Sequence, residues 1–395
     1  MKSISADQIV QLIHDAPRRI VLAVSGGGGR AIADLLQVPG ASKTVLEAVV
    51  PYSPKAMIDW LGAAPDEFCS SATGRGMALT AFHRARRLYE PAENTAGVAC
   101  TASLASDRPK RGPHRIHVAL QTADETAVWS LHLLKERRSR EEEERLAGRM
   151  VLNAVAAACE LNDRLELELL EGERVEESRV RAPREWRELL LGAAESVRIG
   201  PNIGAPRLVF PGAFNPLHSG HRRMFEIARQ IARLPAALEL SIVNVDKPPL
   251  DYMEIVGRVA QFPPDWTVYF TRAPRFEEKS RLFAGTTFIV GADTLRRIGS
   301  PRYHGGDAAA CRESLERIAA NGCRFMVFCR RLEDGAFARL ADLDIPDALR
   351  ALYTRFPELR LRGAPVRRKL FKKKLARPVS SGKIVSIAAG PHGFR

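Results

Sequence analysis

The sequence is poor in cysteine, and its cysteines follow no regular spacing. Six occur in 395 residues, and no two of them form a C-x-x-C pair. A structural zinc site typically contains such pairs, and a disulfide framework shows a regular cysteine pattern. We therefore exclude both classes and expect reduced thiols. The chain must then fold around hydrophobic cores, and its length is enough for two domains.

Long hydrophobic runs are also missing. The start, MKSISADQIVQLIHD, lacks the apolar centre of a signal peptide, and the longest apolar stretch, 150–159, is too short to span a bilayer. A composition of 45% hydrophobic and 27% charged residues is typical of globular proteins. We therefore expect a cytoplasmic protein with no membrane partner.

Acidic residues are absent from one segment near the end of the chain. Residues 360–377 contain nine Lys or Arg and no Asp or Glu, and they supply most of the net charge of +14. Three interpretations remain: a solvated tail, a segment that faces a polyphosphate, or a nucleic-acid patch. Aromatic residues hardly interrupt the run, which disfavours stacking on single strands. We expect the partners to be small phosphorylated molecules rather than nucleic acid. Assembly into a homo-oligomer is left as an open alternative.

Strand and helix patterns alternate through most of the chain. Near the start, a predicted strand at 19–24 runs into the glycine-rich SGGGG, and a predicted helix at 138–161 begins with an acidic run. Such alternation is typical of α/β folds. We predict two layered α/β domains, 1–161 and 207–395. A charged linker, 162–206, joins them and ends in the turn-rich IGPNIGAP.

The most informative segment is RLVFPGAFNPLHSGHRRM, at 207–224. A strand pattern leads into a Gly/Pro-rich turn and then a helix start, an order that presents backbone N–H groups and a positive dipole end to an anion. Gly212 allows close approach of the backbone, and Ser219 is predicted to cap the helix. His218 and His221 lie three residues apart and share a helix face. The segment therefore predicts a phosphate site.

A zinc pair, or a plain turn with two surface histidines, is the alternative for this segment. No Cys, His, Asp or Glu nearby completes a metal set, so we assign no metal ligands here.

The segment resembles the phosphate-binding signature of the HxGH nucleotidylyltransferases, especially the nicotinate/nicotinamide mononucleotide adenylyltransferases. That signature is roughly G-x-F-(D/N)-P-x-H-x-G-H. The resemblance implies a Rossmann-like fold for the second domain and catalytic roles for His218 and His221. It also implies Mg²⁺ as a cofactor that arrives with the nucleoside triphosphate. The other signature positions would bind the nucleotide: Gly212, Phe214, Asn215 and Gly220.

Two later segments extend this resemblance. FIVGADTLRRI, at 288–298, matches the family's strand followed by Gly-x-Asp, which implies that Asp293 contacts a ribose. A helix cap is the alternative role for Asp293. VSSGKIV resembles the family's Ile-Ser-Ser-Thr-x-Ile-Arg, which implies nucleotide contacts from Ser380 and Ser381. The Arg position is Val385 here, and we predict that Lys383 or the basic run before it replaces the missing charge.

The run LLQVPGASKTVLEAVVPYSPKAMIDWLG, at 35–62, resembles a different family. Its V-P-G-A-S, Y-S and L-G elements are similar to the C-terminal domain of CinA-type competence/damage proteins, the nicotinamide mononucleotide amidohydrolases. The resemblance implies a ligand site in the first domain, formed by Ser25, Gly26, Gly27, Ser42 and Tyr52.

This chain departs from the CinA pattern at two places. The Cys and Thr of the family's E-S-C-T-G-G are Gly26 and Gly27 here, and the family's Lys falls on Met57, with Lys55 two positions away. The glycines could still cradle a phosphate through backbone N–H groups, or form only a tight turn. We therefore expect a nucleotide-binding or structural domain.

Three functions follow from these patterns. The first is a nucleotidylyltransferase that moves a nucleoside monophosphate, most plausibly AMP from ATP, onto a phosphorylated acceptor such as nicotinate or nicotinamide mononucleotide. The second is a non-catalytic regulator that binds a pyridine nucleotide. The third is a bifunctional deamidase and nucleotidylyltransferase. The sequence does not distinguish ATP from CTP, because those contacts come from loops without a readable code.

Overall fold

The protein is described by a computed structural model that covers residues 4–107, 111–243, 249–328 and 344–353. These residues form two compact units. The first unit comprises the described residues up to 194 together with 249–256, and the second comprises the others. The three proposed nucleotide contacts in the tail, Ser380, Ser381 and Lys383, lie outside the described residues.

The first unit is built on one mixed sheet. Its helices are α1 Ala6–Asp15, α2 Arg30–Gln37, α3 Pro54–Leu61, α4 Ser71–Leu88, α5 Arg140–Ala158 and α6 Arg184–Leu191. Its strands are β1 Arg19–Ser25, β2 Val45–Val49, β3 Thr95–Ser103, β4 His114–Gln121, β5 Glu125–Leu133 and β6 Val175–Arg181. The strand order is β2-β1-β3-β4-β5-β6. β1 runs parallel to both neighbours, and the later pairs are antiparallel.

Helices cover both faces of this sheet. Successive residues of β1, such as Leu22 and Ala23, point to opposite faces. Leu22 belongs to the core that β1 shares with α1, α2 and α5, whereas Ala23 packs with Met57 and Met77 of α3 and α4. β1 is therefore buried on both sides, which explains why its sequence, RIVLAVS, is almost continuously apolar.

The second unit holds another six-stranded sheet. Its strands are β7 Ser196–Ile199, β8 Leu208–Pro211, β9 Ala236–Ser241, β10 Thr267–Thr271, β11 Thr287–Gly291 and β12 Arg324–Phe328. Its helices are α7 Ser219–Ala232, α8 Tyr252–Val259, α9 Phe276–Leu282, α10 Ala292–Ile298, α11 Ala308–Ala320 and α12 Asp347–Arg350, the unit boundary falling inside α8.

The order of this sheet is β12-β11-β8-β9-β10-β7. All its neighbours are parallel except β7, which pairs antiparallel with β10. The five parallel strands, numbered in chain order, follow the 3-2-1-4-5 arrangement of a doubly wound Rossmann-like sheet. The order reverses between β8 and β11, and such switch points are where open α/β sheets bind ligands. The predicted fold class, two layered α/β domains, is confirmed.

The segment 162–206, predicted as a linker, carries regular structure. It contains β6, which pairs with β5 of the first sheet, and β7, which pairs with β10 of the second. Between them lies α6.

No helix in the described part of the chain combines the length and the apolar character that crossing a membrane requires.

Candidate functional site

The HxGH segment lies at the switch point of the second sheet. β8 ends at Pro211 and leads through the loop 212–217 into α7, while β11 ends at Gly291 and leads directly into α10. Because β8 and β11 are parallel neighbours, their carboxyl ends meet at one edge of the sheet. The predicted site residues of this loop and Asp293 therefore belong to the same edge.

The two histidines cap α7 reciprocally. Nδ1 of His218 accepts a hydrogen bond from the backbone N–H of His221 at 3.3 Å, and Nδ1 of His221 accepts from the N–H of His218 at 3.4 Å. The N-cap is therefore His218, whereas the sequence predicted Ser219, which is instead the first helical residue. The correction has a physical reason, since an imidazole nitrogen here does what a serine oxygen does in most caps.

This capping determines which nitrogen of each imidazole ring carries the proton. The rings stack with their centroids 3.6 Å apart and their planes 17° from parallel. An accepting Nδ1 places the proton of a neutral imidazole on Nε2. Both histidines therefore keep Nε2–H as the group that remains to donate to a ligand.

Aromatic packing keeps His221 neutral. The His221 ring is half-buried against Phe214 and Phe210, with centroid separations of 5.3 and 6.0 Å. Burial, and to a lesser extent the neighbouring His218, lowers the pKa of His221 to about 4. At neutral pH this side chain is thus an uncharged hydrogen-bond donor.

The signature glycines are required by close contacts. A Cβ on Gly212 would lie 2.6 Å from Cζ of Phe214, whose ring is 1% exposed and cannot move aside. A Cβ on Gly220 would lie 3.0 Å from Cε1 and Nδ1 of His218. Phe214 itself has a left-handed backbone, with φ of +43°. Asn215, next in the loop, is exposed.

Residues at the end of α8 and just beyond it form hydrogen bonds to the loop 212–217. Nε of Arg258 donates to the carbonyl of Ala213 at 3.2 Å. The N–H of Leu217 donates to Oε1 of Gln261 at 2.7 Å, and Arg222 of α7 donates to the Gln261 carbonyl at 3.0 Å. Gln261 was not predictable from the sequence, because no local pattern marks a residue that lies 44 positions from the amide whose hydrogen bond it accepts.

Asp293 lies in the first turn of α10, where its carboxylate is half exposed. The N-cap of that helix is Gly291, so Asp293 is not the cap that the alternative interpretation predicted. Its carboxylate lies 3.6 Å from Arg296. It remains the acidic side chain that the sequence predicts for this edge of the sheet.

The first unit holds a second candidate site at the glycine-rich loop after β1. A cavity of about 140 Å³ lies there, and four of the predicted residues line it: Ser25, Gly26, Gly27 and Tyr52. Oγ of Ser25 donates to the carbonyl of Pro51 at 3.1 Å. Ser42 is exposed on a short 3₁₀ turn and does not line the cavity. Met57, at the family Lys position, is buried in the core.

Two residues of α5, which the sequence did not predict for the site, complete this cavity. Gly28 N–H donates to Oε2 of Glu144 at 3.1 Å, and Arg30 N–H donates to Oε1 at 3.2 Å. Arg140, one turn earlier on α5, donates to the carbonyl of Gly26 at 3.0 Å. In the sequence, the acidic run that contains Glu144 indicates only a helix start. The contact of Glu144 with the glycine-rich loop is not visible there, because the two lie more than a hundred residues apart.

No group of three or more His, Cys, Asp or Glu that could hold a metal ion occurs within the described residues. The five described cysteines are free.

Comparison with known proteins gives a match for the first unit. Residues 2–156 match the family model described as the CinA C-terminal domain. No curated protein matches the chain. Among solved structures, the competence/damage-inducible protein CihA from Agrobacterium tumefaciens is 20% identical over 40% of this chain and 99% of its own, with a TM-score of 0.33.

Two further solved structures are similar over the same share of the chain. A CinA superfamily protein from Escherichia coli is 17% identical over 39% of this chain and 90% of its own, with a TM-score of 0.32. A competence or damage-inducible protein from Enterobacter asburiae is 14% identical over 40% and 98%, with a TM-score of 0.31. The family match extends from α1 through most of α5, so the glycine-rich loop, Tyr52 and Glu144 all lie in the CinA-like part of the chain.

Proposed function

We propose that the second unit is a nucleotidylyltransferase that binds a nucleoside triphosphate at the HxGH loop and transfers its nucleoside monophosphate to a phosphorylated acceptor. The observation that carries this proposal is the pair of stacked imidazoles at the N-terminus of α7, at the switch point of a doubly wound sheet. Each keeps Nε2–H to donate, beside backbone N–H groups at the positive end of a helix dipole.

These groups suit an in-line displacement at phosphorus. A phosphate oxygen of the acceptor forms a bond to the α-phosphorus of the triphosphate, and the bond from that phosphorus to the bridging oxygen breaks, releasing pyrophosphate. Both reacting groups are already anions, so the step needs no proton acceptor. His218 and His221 act as neutral donors to oxygens that gain charge in the transition state, an arrangement that preorganised hydrogen bonds stabilise.

Arg258 and Gln261 act as positioning residues in this scheme. They hold the carbonyl of Ala213 and the amide of Leu217, on either side of Phe214 and Asn215. A fixed loop keeps the donors in place before the substrate arrives, and such positioning supplies much of the rate in phosphoryl-type transfers.

Mg²⁺ enters this scheme as part of the substrate, the magnesium complex of the triphosphate, and neutralises part of its charge. Proteins commonly bind Mg²⁺ through one or two carboxylates plus substrate phosphates rather than through a protein cage. The half-exposed carboxylate of Asp293 fits that requirement, although the resemblance assigns it to a ribose.

The acceptor class, a pyridine mononucleotide, rests on the similarity of the first unit to the CinA domain. A second candidate, a regulator that binds a pyridine nucleotide at the HxGH loop without catalysis, is favoured by one observation. The family Lys position is the buried Met57, and no lysine among the described residues lines the cavity of the first unit.

The test is release of pyrophosphate from a panel of nucleoside triphosphates, each offered with a panel of phosphorylated acceptors. We expect turnover with at least one pair, and His218→Ala or His221→Ala should lower it by roughly 10²-fold, the effect of losing a transition-state donor. Gln230→Ala, exposed near the end of the same helix, is the matched control and should retain wild-type turnover. Turnover in both histidine variants equal to that of the control would refute the assignment.

A further inference from the structure

The glycine-rich loop of the first unit already holds an anion. Gly26 and Gly28 have left-handed backbones, with φ of +75° and +88°, and this conformation turns successive amides toward one point. The point is occupied by the carboxylate of Glu144, whose two oxygens accept from Gly28 and Arg30. The carboxylate therefore lies where such loops place a phosphate.

Glu144 also replaces the missing cap of α2. The N-cap residue of α2 is Gly29, which has no side chain, while Arg30 is the first helical residue. Glu144 belongs to α5 and reaches this helix end from 114 positions along the chain. A carboxylate at a helix N-terminus gains from both the free amides and the dipole.

The positively charged side chain at this cavity, Arg140, is also already hydrogen-bonded to the protein. The Arg140 guanidinium donates to the carbonyls of Gly26 and Ala105 and lies 3.9 Å from Glu144. An incoming phosphate would meet a carboxylate at the amides and an arginine already holding two carbonyl groups. Repulsion by the carboxylate and the loss of its hydrogen bonds both oppose anion binding.

The small size of the cavity agrees with the presence of the Glu144 carboxylate at the loop. Its volume is about 140 Å³, whereas pockets for drug-sized ligands start at about 300 Å³. An apolar cavity of about 150 Å³ holds one benzene ring. With Glu144 in place, the space beside the loop is therefore smaller than a typical ligand pocket.

We propose that Glu144 is an internal anion that fills the phosphate position of the glycine-rich loop and makes the first unit reject phosphorylated ligands. Glu144 is thus the specificity-determining residue of this cavity, and it selects for small ligands without a phosphate. The claim is independent of the nucleotidylyltransferase proposal, which concerns the second unit.

The test measures binding of inorganic phosphate to the full chain carrying His218→Ala and His221→Ala, so that the second site does not contribute. In that background Glu144→Ala should bind phosphate at least tenfold more tightly, and the Gly28 and Arg30 amide resonances should shift on titration. Glu141→Ala removes the same charge from an exposed position of the same helix and should cause neither change.

Three results would overturn the proposal. They are phosphate shifts of the Gly28 and Arg30 amides while Glu144 is intact, no tighter binding in folded Glu144→Ala protein, or equal tightening in Glu141→Ala. If Glu144→Ala does not fold, Glu144→Gln serves instead, because its carboxamide keeps one acceptor for the loop and lacks the charge. That variant should also bind phosphate more tightly than its parent.

Discussion

His221 is the residue whose ionisation the structure changes most clearly near the proposed site. Its pKa falls to about 4, from an ordinary value near 6.5, because the ring is half-buried against aromatic neighbours. Between these two values the unfolded chain binds more protons than the folded one. The free energy of unfolding therefore decreases as the pH falls from about 6.5 towards 4.

We expect His221→Asn to remove part of this pH dependence. The shift corresponds to at most about 2 kcal/mol between pH 6.5 and 5, and solvent screening at a half-buried ring reduces it to roughly 1 kcal/mol. Thermal unfolding at pH 7 and pH 5 measures the effect, and the fall in Tm should be smaller in the variant. Burial also lowers the pKa of His117, in the first unit, to about 4. His117 therefore contributes a comparable loss of stability over the same pH range. An unchanged fall in Tm would mean that His221 is protonated in the folded protein.

Gly212 gives a second prediction at the residue scale. Gly212→Ala drives a methyl group into the buried Phe214 ring and should lower the free energy of unfolding by about 1–3 kcal/mol, as overpacking does. It should also reduce pyrophosphate release, since the ring packs against His221. The control is Gly257→Ala on α8, where nothing lies within 4 Å of the added Cβ. That change should stabilise the helix by about 0.5–1 kcal/mol, and equal destabilisation in both variants would contradict the contact argument.

Local chemistry explains which site residues could be predicted from the sequence. Gly212, His218 and His221 stand within ten positions of each other, and the order strand, glycine turn and helix start is visible in the sequence. Glu144 and Gln261 act on amides far away along the chain, and only the packing of α5 and α8 brings them there. Such partners carry no local signal.

At the element scale, the residues at and just after the end of α8 hydrogen-bond to the loop 212–217, and substitutions of Gln261 test whether they position it. Gln261→Ala removes the acceptor of the nearly buried Leu217 amide, and an unsatisfied donor of this kind costs about 1–3 kcal/mol. We expect a lower kcat/KM for nucleotidyl transfer together with a lower Tm.

Gln261→Glu separates the two effects of that change. The carboxylate keeps an acceptor for Leu217, so this variant should recover most of the lost Tm and activity. Circular-dichroism melting and steady-state kinetics on the same preparations provide the comparison. If Gln261→Glu performs as poorly as Gln261→Ala, the hydrogen bond to Leu217 is not what positions the loop.

Elements with an amphipathic or fully buried pattern were predictable, and elements defined by their neighbours were not. β1, α5 and β8 are where the sequence predicts them. The sequence predicts no strand at β5, although its residues alternate, and β6, whose sequence VEESRVR is mostly polar, falls in the predicted linker. Both become strands because an adjacent strand supplies their hydrogen bonds, so their structure depends on tertiary context.

At the scale of the whole molecule, the two units differ in how much of the chemistry expected for each of them remains. The second unit keeps the glycines, both histidines and the switch-point position. The first keeps the CinA-like architecture, with a buried Met57 at the family Lys position and Glu144 inside the glycine-rich loop. The proposed transferase activity and the absence of amidohydrolase activity are therefore separate predictions.

The full-length protein given nicotinamide mononucleotide should release little or no ammonia. Glu144 repels the substrate's phosphate, the cavity of about 140 Å³ is small, and no lysine among the described residues lines it. A coupled ammonia assay checks this, with a CinA-type amidohydrolase as positive control and Ser25→Ala as the matched variant. Because Ser25 lines the cavity and binds the Pro51 carbonyl, loss of a measurable ammonia signal in that variant would place a working amidohydrolase in the first unit. In that case the bifunctional interpretation would replace the transferase-only one.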